Sequence, residues 1–152
     1  MQNKISYIKN FPETLRVLEP DEMGKWGKMN AQHMVEHMSE AFRLASGKHE
    51  SKPVLTPEQT QKSYAFMMSE FPFKENTPNK LLPDNPVPYR NTSMKDAIAE
   101  LQKEIDHFFS VYAGNSELRK VNPFFGNLNF EEQVQLLHKH ATHHARQFGL
   151  VG

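Results

Sequence analysis

The sequence predicts an all-α protein: a four-helix bundle with an additional N-terminal helix and long crossover connections, filling one domain over residues 1–152. Three observations carry this. Apolar residues recur at three- and four-residue intervals in several separate stretches, which is the spacing of a buried helical face. Capping residues and glycines bracket those stretches. No stretch shows the strict alternation of a convincing strand, and a proline-rich segment is too long to be a simple turn.

A chain of this length can bury about two thirds of its unfolded surface, so it folds without help from disulfides or a structural metal. It contains no cysteine. That excludes thiolate ligands, thiol nucleophiles and redox pairs within the chain, and suits a reducing compartment. The start, MQNKISYIKNF, lacks the apolar core of a signal peptide. Nothing approaches the roughly 18–20 apolar residues of a spanning helix. The expectation is a cytoplasmic protein with no membrane partner. Lysine plus arginine and aspartate plus glutamate each total 18, so the formal net charge is zero. With no basic run and no basic–aromatic platform, nucleic acid is not an expected partner.

Taken in order, residues 3–19 predict a first helix, with Ile5, Ile8, Leu15, Val17 and Leu18 as apolar contacts. Pro12 either kinks it or stands near the start of a helix beginning around Phe11. Trp26 then reads as a large anchor packing the connection, or as part of a pocket mouth. Asn30 is an N-cap for a helix to Ser46 closed by Gly47, with Met34, His37, Met38, Ala41, Phe42 and Ala45 facing inward. Pro57 suits the first turn of a helix over 57–70. Residues 71–91 contain Pro72, Pro78, Pro83, Pro86 and Pro88, which rule out a continuous helix or central strand. Their apolar residues suggest an ordered crossover lying over the helices, with a lid as the functional alternative. Thr92 or Ser93 caps a helix to Tyr112, through Ile98, Leu101, Ile105, Phe108 and Phe109. Residues 115–128 read as a connection with turn signals at Asn122-Pro123 and Gly126-Asn127.

The last helix organises the rest. In NFEEQVQLLHKHATHHARQFGL, Asn129 caps, Glu132 completes a capping box and Gly149 ends the run. Phe130, Val134, Leu137, Ala141, His144 and Phe148 form its inward stripe, with His140 beside it one turn before His144. Two imidazoles four residues apart on an inward face can point at one metal ion, and a shared ion satisfies two polar rings that are costly to bury. His37, inward on a separate helix, supplies a third ligand. Three neutral imidazoles can hold zinc, nickel or iron and leave a position open for a small-molecule substrate. His33 competes with His37 if the helix is rotated, and His143 competes with His144 although it points about 100° away. Gln147, His33 and Glu40 are candidates to hydrogen-bond a ligand ring or a bound water. Arg146 suits an acidic substrate group or plain solvent exposure. Glu36 need not face the ion. His49, His107 and His138 read as exposed or packed histidines. No general base stands out other than metal-bound water. The sequence lacks a His-Glu-x-x-His motif, a phosphate loop, a nucleophile elbow and the paired Glu-x-x-His of di-iron bundles, so one ion is expected. His37 lying more than about 6 Å from the pair would remove a preassembled site.

At these residues the chain resembles a known family. WGKMNAQHMVEH, from Trp26 to His37, resembles the tryptophan-to-first-histidine region of the DinB/YfiT-like superfamily. HATHHARQFG, His140 to Gly149, resembles that superfamily's terminal His-x-x-x-His motif followed by glutamine. NPFFGNLNFEEQ, Asn122 to Gln133, is similar to the lead-in of one bacterial branch. Where the common ending reads His-Arg-Gly-Gln, this chain has His144-Ala145-Arg146-Gln147.

The resemblance implies a four-helix bundle binding one divalent ion through His37, His140 and His144. It also implies chemistry on a low-molecular-weight thiol, activated as thiolate for attack on an electrophile. The leading expectation is therefore a metal-dependent enzyme of the thiol S-transferase type. A metal-water hydrolase, a non-catalytic metal-binding or interaction protein, and a metal-free bundle stand as rivals. A remaining exposed apolar strip would suit a homodimer.

Overall fold

The computed structural model describes residues 1–75 and 85–150. Among these, the regular elements are α1 (Gln2–Thr14), α2 (Ala31–Ser46), α3 (Pro57–Met68), α4 (Met94–Tyr112), β1 (Lys120–Asn122), β2 (Gly126–Leu128) and α5 (Phe130–Gln147). The protein is a mostly helical bundle, and no described helix is long and apolar enough to cross a membrane.

Local chemistry sets the helix ends. The Asn30 side chain accepts from the His33 amide at 2.9 Å, and His33 Nδ1 accepts from the Asn30 amide at 3.2 Å, a reciprocal cap at the start of α2. Gly47, at φ 86°, ends α2 in the left-handed conformation that glycine adopts at no steric cost. Thr56 and Gln59 cap α3 reciprocally, with Pro57 at its first position. Ser93 caps α4 by accepting from the Asp96 amide. Asn129 and Glu132 exchange bonds of 2.9 and 2.8 Å at the start of α5.

The apolar stripes close on one another. Helix α2 packs along α4, and α1 against α5. Ile8, Phe11, Leu15, Met34, Met38, Phe42, Leu101, Ile105, Phe108, Val134 and Ala141 are all essentially inaccessible in the main core. Truncating Phe42 or Phe108 to alanine there would cost about 3–5 kcal/mol. A second, smaller cluster of Met67, Leu128 and Leu136, backed by Tyr64, Phe73 and Phe125, seats α3 and the ribbon on the other side of α5. Helix α5 is thus covered on two sides. That explains why Gln133, Gln135 and Lys139 are buried as well as its apolar stripe. Lys139 donates to the carbonyls of Phe66, Ser69 and Phe71, so the end of α3 and the segment after it are tied to α5.

Several sequence expectations are corrected. Helix α1 is continuous through Phe11, and Pro12 lies in its last turn, so the backbone bond that its missing N–H forgoes falls close to where the α-helix already ends. The chain then tightens into a 3₁₀ turn at Leu15–Val17 instead of continuing as α-helix. Val17, expected in the core, is 75% exposed. Helix α3 ends at Met68, because Ser69 turns to extended backbone. Within 115–128 the chain pairs β1 with β2 as an antiparallel hairpin, Lys120 opposite Leu128 and Asn122 opposite Gly126. Strands of three residues are too short to display an alternating pattern. Residues 76–84 of the expected crossover, with Pro78 and Pro83, lie outside the described residues.

Candidate metal centre

The bundle brings His37 of α2 together with His140 and His144 of α5. One ring nitrogen from each lies within 4.8 Å of the others, inside the limit for a preassembled site. The rings meet at centroid distances of 4.9 Å (His37–His140), 5.1 Å (His37–His144) and 4.7 Å (His140–His144). The Nε2 atoms of His37 and His140 face each other at 2.9 Å. Tetrahedral coordination at zinc–nitrogen distances near 2 Å would place two such nitrogens about 3.3 Å apart, so a small opening admits an ion.

His144 supplies the clearest sign of fit. Gln147 Nε2 donates to the Trp26 carbonyl at 2.9 Å, which fixes which end of the Gln147 amide is oxygen. Gln147 Oε1 then lies 2.7 Å from His144 Nδ1 and can only accept, so Nδ1 carries the proton. The lone pair is left on Nε2, which is buried and has no hydrogen-bond partner. A buried acceptor of this kind costs stability unless something occupies it.

The electrostatics agree with ligation. Burial pushes the His37 imidazole down to about 4, helped by His143 and opposed by the Glu40 carboxylate. Burial also holds His140 and His144 well below the ordinary histidine range, and their neighbouring imidazoles push the same way. All three rings are therefore neutral near pH 7, as metal ligation requires. No carboxylate or further imidazole joins them among the described residues. Three neutral nitrogens with no fourth protein ligand can hold a divalent zinc, nickel or iron ion.

The surroundings show what else the expected residues do. His33 directs its Nδ1 to the Asn30 amide and packs its ring 4.7 Å from that of Tyr89, at the start of α2. Glu40 binds Arg43 at 2.7 Å, Arg90 at 2.6 Å and His49 at 2.8 Å, and reaches His37 only as a through-space charge. Gln147 is in contact with the cluster and also links it to the Trp26 loop. His143 turns away from the three converging nitrogens. Its ring sits 5.4 Å from Trp26 and 6.0 Å from Phe73. Glu36 turns instead to the segment leading into α4. It accepts from the amides of Arg90 (2.8 Å) and Asn91 (3.0 Å) and from the side chains of Asn91 and Gln32. Burial raises its carboxyl, but these bonds outweigh burial and leave it below the usual range. His138 packs edge-on against Tyr7.

Three contributors carry no signal in the sequence pattern. Phe73, 6.3 Å from the His140 ring, forms an apolar wall beside the cluster. Gly24 admits the Gln147 side chain: a Cβ on it would lie 2.8 Å from Gln147 Cγ. Gly27, at φ +79°, similarly leaves room for Gln147 Nε2. Only the folded loop shows these approaches. No protein-family model, characterised protein or solved structure matches the chain.

Proposed function

We propose that this protein is a metal-dependent enzyme of the DinB/YfiT-like type, a single cytoplasmic domain that binds one divalent ion through His37, His140 and His144. The observation that carries the reading is the His144 arrangement, in which Gln147 fixes the proton on Nδ1 and leaves a buried, unpartnered Nε2 facing the other two rings. The motifs from Trp26 to His37 and from His140 to Gly149 support the family assignment.

The reaction class we infer is transfer of a low-molecular-weight thiol to an electrophilic small molecule. The bound ion supplies Lewis acidity, which favours the ionised form of a thiol substrate at neutral pH. The chain's own residues prepare the site. Burial keeps the imidazoles unprotonated, Gln147 orients His144, and Phe73 screens His140 from water on one side. With no cysteine, the chain has no thiol of its own to compete with the substrate.

The test begins with metal content per chain in tag-free protein, beside His37→Ala and His144→Ala. About one ion per wild-type chain, lost in both variants, is the expected result. Zinc-, nickel- and iron-loaded protein is then screened with thiols and an alkyl halide or epoxide acceptor. Failure to bind any divalent ion after reconstitution would end the reading. Binding without turnover would leave a non-catalytic metal protein, and turnover without added thiol would replace transfer by hydrolysis.

A further inference from the structure

Next to the Trp26–Gln147 junction lies a cavity of about 270 Å³, lined by Lys25, Trp26, Glu75, Arg146 and Gly149. We propose that this cavity binds the carboxylate end of a small molecule, with Arg146 and Lys25 as its cationic partners and the Trp26 indole as an apolar wall.

Arg146 is the first reason. Arg16, Arg43, Arg90 and Arg119 each pair with a carboxylate. Among the described residues Arg146 alone of the arginines forms no ion pair, although it is partly buried in the last turn of α5. A guanidinium in a cavity, with no carboxylate paired to it among the described residues, fits a planar carboxylate with two parallel hydrogen bonds.

Lys25 is the second. Its amide donates to the Gln147 carbonyl at 2.7 Å, which fixes the base of the side chain beside α5. Its Nζ lies 3.9 Å from the place a Cβ on Gly149 would take, so the ammonium reaches over a residue with no side chain. Lys25 and Arg146 face one acid, Glu75, which leaves one net positive charge. That balance matches a monoanion better than a dianionic phosphate. The volume is below the roughly 300 Å³ at which sites for whole drug-sized ligands begin, so the cavity takes one end of a molecule.

The cavity is coupled to the metal centre through two hydrogen bonds. The Trp26 carbonyl holds Gln147, and Gln147 holds His144. Taken as part of the substrate cleft, it makes the substrate an acid. That conclusion rests on the metal reading, whereas carboxylate binding itself does not.

Trp26 is the single tryptophan of the chain, so fluorescence excited at the red edge, where the tyrosines do not absorb, reports on this wall alone. Benzoate, benzamide and phenyl phosphate are titrated into metal-free and zinc-loaded protein. Expected are a saturable response to benzoate in both forms and none to benzamide. Arg146→Gln should weaken benzoate by at least about tenfold, with Arg146→Lys intermediate. Zinc stoichiometry and melting temperature should hold in both variants.

Equal responses to benzamide, tighter binding of phenyl phosphate, or benzoate affinity untouched by Arg146→Gln would overturn the assignment. Benzoate binding confined to zinc-loaded protein and indifferent to Arg146 would put the carboxylate on the ion, ending this inference while leaving the metal reading intact. Arg146-dependent binding to a chain that takes up no divalent metal would do the reverse.

Discussion

Gln147 Oε1 lies 2.7 Å from His144 Nδ1, three residues away on the same helix, and this bond decides which nitrogen of His144 can meet a metal. Because the other end of the Gln147 amide is held by the Trp26 carbonyl, 121 residues from Gln147, the tautomer of a helix residue is set by a distant loop.

Gln147→Leu should therefore weaken zinc binding by about 10–100-fold, the usual cost of losing a partner that orients a ligand. Gln147→Glu keeps an acceptor for Nδ1 and should retain more affinity than leucine. Competition against a chromophoric chelator measures both. Equal affinities in wild type and Gln147→Leu would show that the bond does not orient the ligand.

Gly24→Ala places a methyl 2.8 Å from Gln147 Cγ, close enough that something must move. The expected loss is about 1–3 kcal/mol of stability, together with weaker zinc binding. In a Gln147→Ala background the same change should cost clearly less, since the group it collides with is gone. Urea denaturation of the four proteins closes the cycle, and an additive result would rule out the contact as the cause.

Lys139 is buried, and burial holds its ammonium below the ordinary lysine range while it donates to three carbonyls at the end of α3 and just after it. Lys139→Met keeps the apolar stem and removes the donors. Losing these charge-assisted bonds should cost about 1–3 kcal/mol. The amides of Ser69, Glu70, Phe71 and Phe73 should exchange faster while those of α2 and α4 hold their protection. Unchanged exchange at 69–73 would show that Lys139 does not anchor the segment.

Glu104 links α4 to α2 through Arg43 and to Lys48. Burial raises its carboxyl, but the two cations outweigh burial and hold it below the usual range. For an acid whose folded pKa is depressed, the contribution is complete above the unfolded value near 4.3 and is lost as pH falls through the folded one. Glu104→Gln should cost about 1–3 kcal/mol at pH 7, and the gap from wild type should shrink by pH 3. Urea midpoints at the two pH values test this, and a gap that stays constant would show that the charge contributes nothing.

Much of the bundle was legible because its signals are local. Asn30, Ser93 and Asn129 cap helices through bonds to residues three positions on, and Gly47 ends one through its own backbone freedom. Met34, Met38 and Phe42, or Val134, Leu137 and Ala141, show their buried face by spacing alone. Pro12 and the β1–β2 hairpin were less legible. A proline near a helix end and strands of three residues leave little periodicity to read. Phe73 and Gly24 gave no hint of their place beside the site, since each acts through what packs on it.

By itself, the sequence determined where the helices run and that His140 and His144 share one face of the last of them, because both follow from the 3.6-residue turn. Only the tertiary structure decided that His37, 103 residues from His140, meets that pair while His33 caps a helix and His143 packs on Trp26. It also decided that Gln147 fills the space left by Gly24. The physical reason is that spacing sets the direction of a side chain about its own helix axis, whereas the distance between two helices depends on the packing of every residue between them.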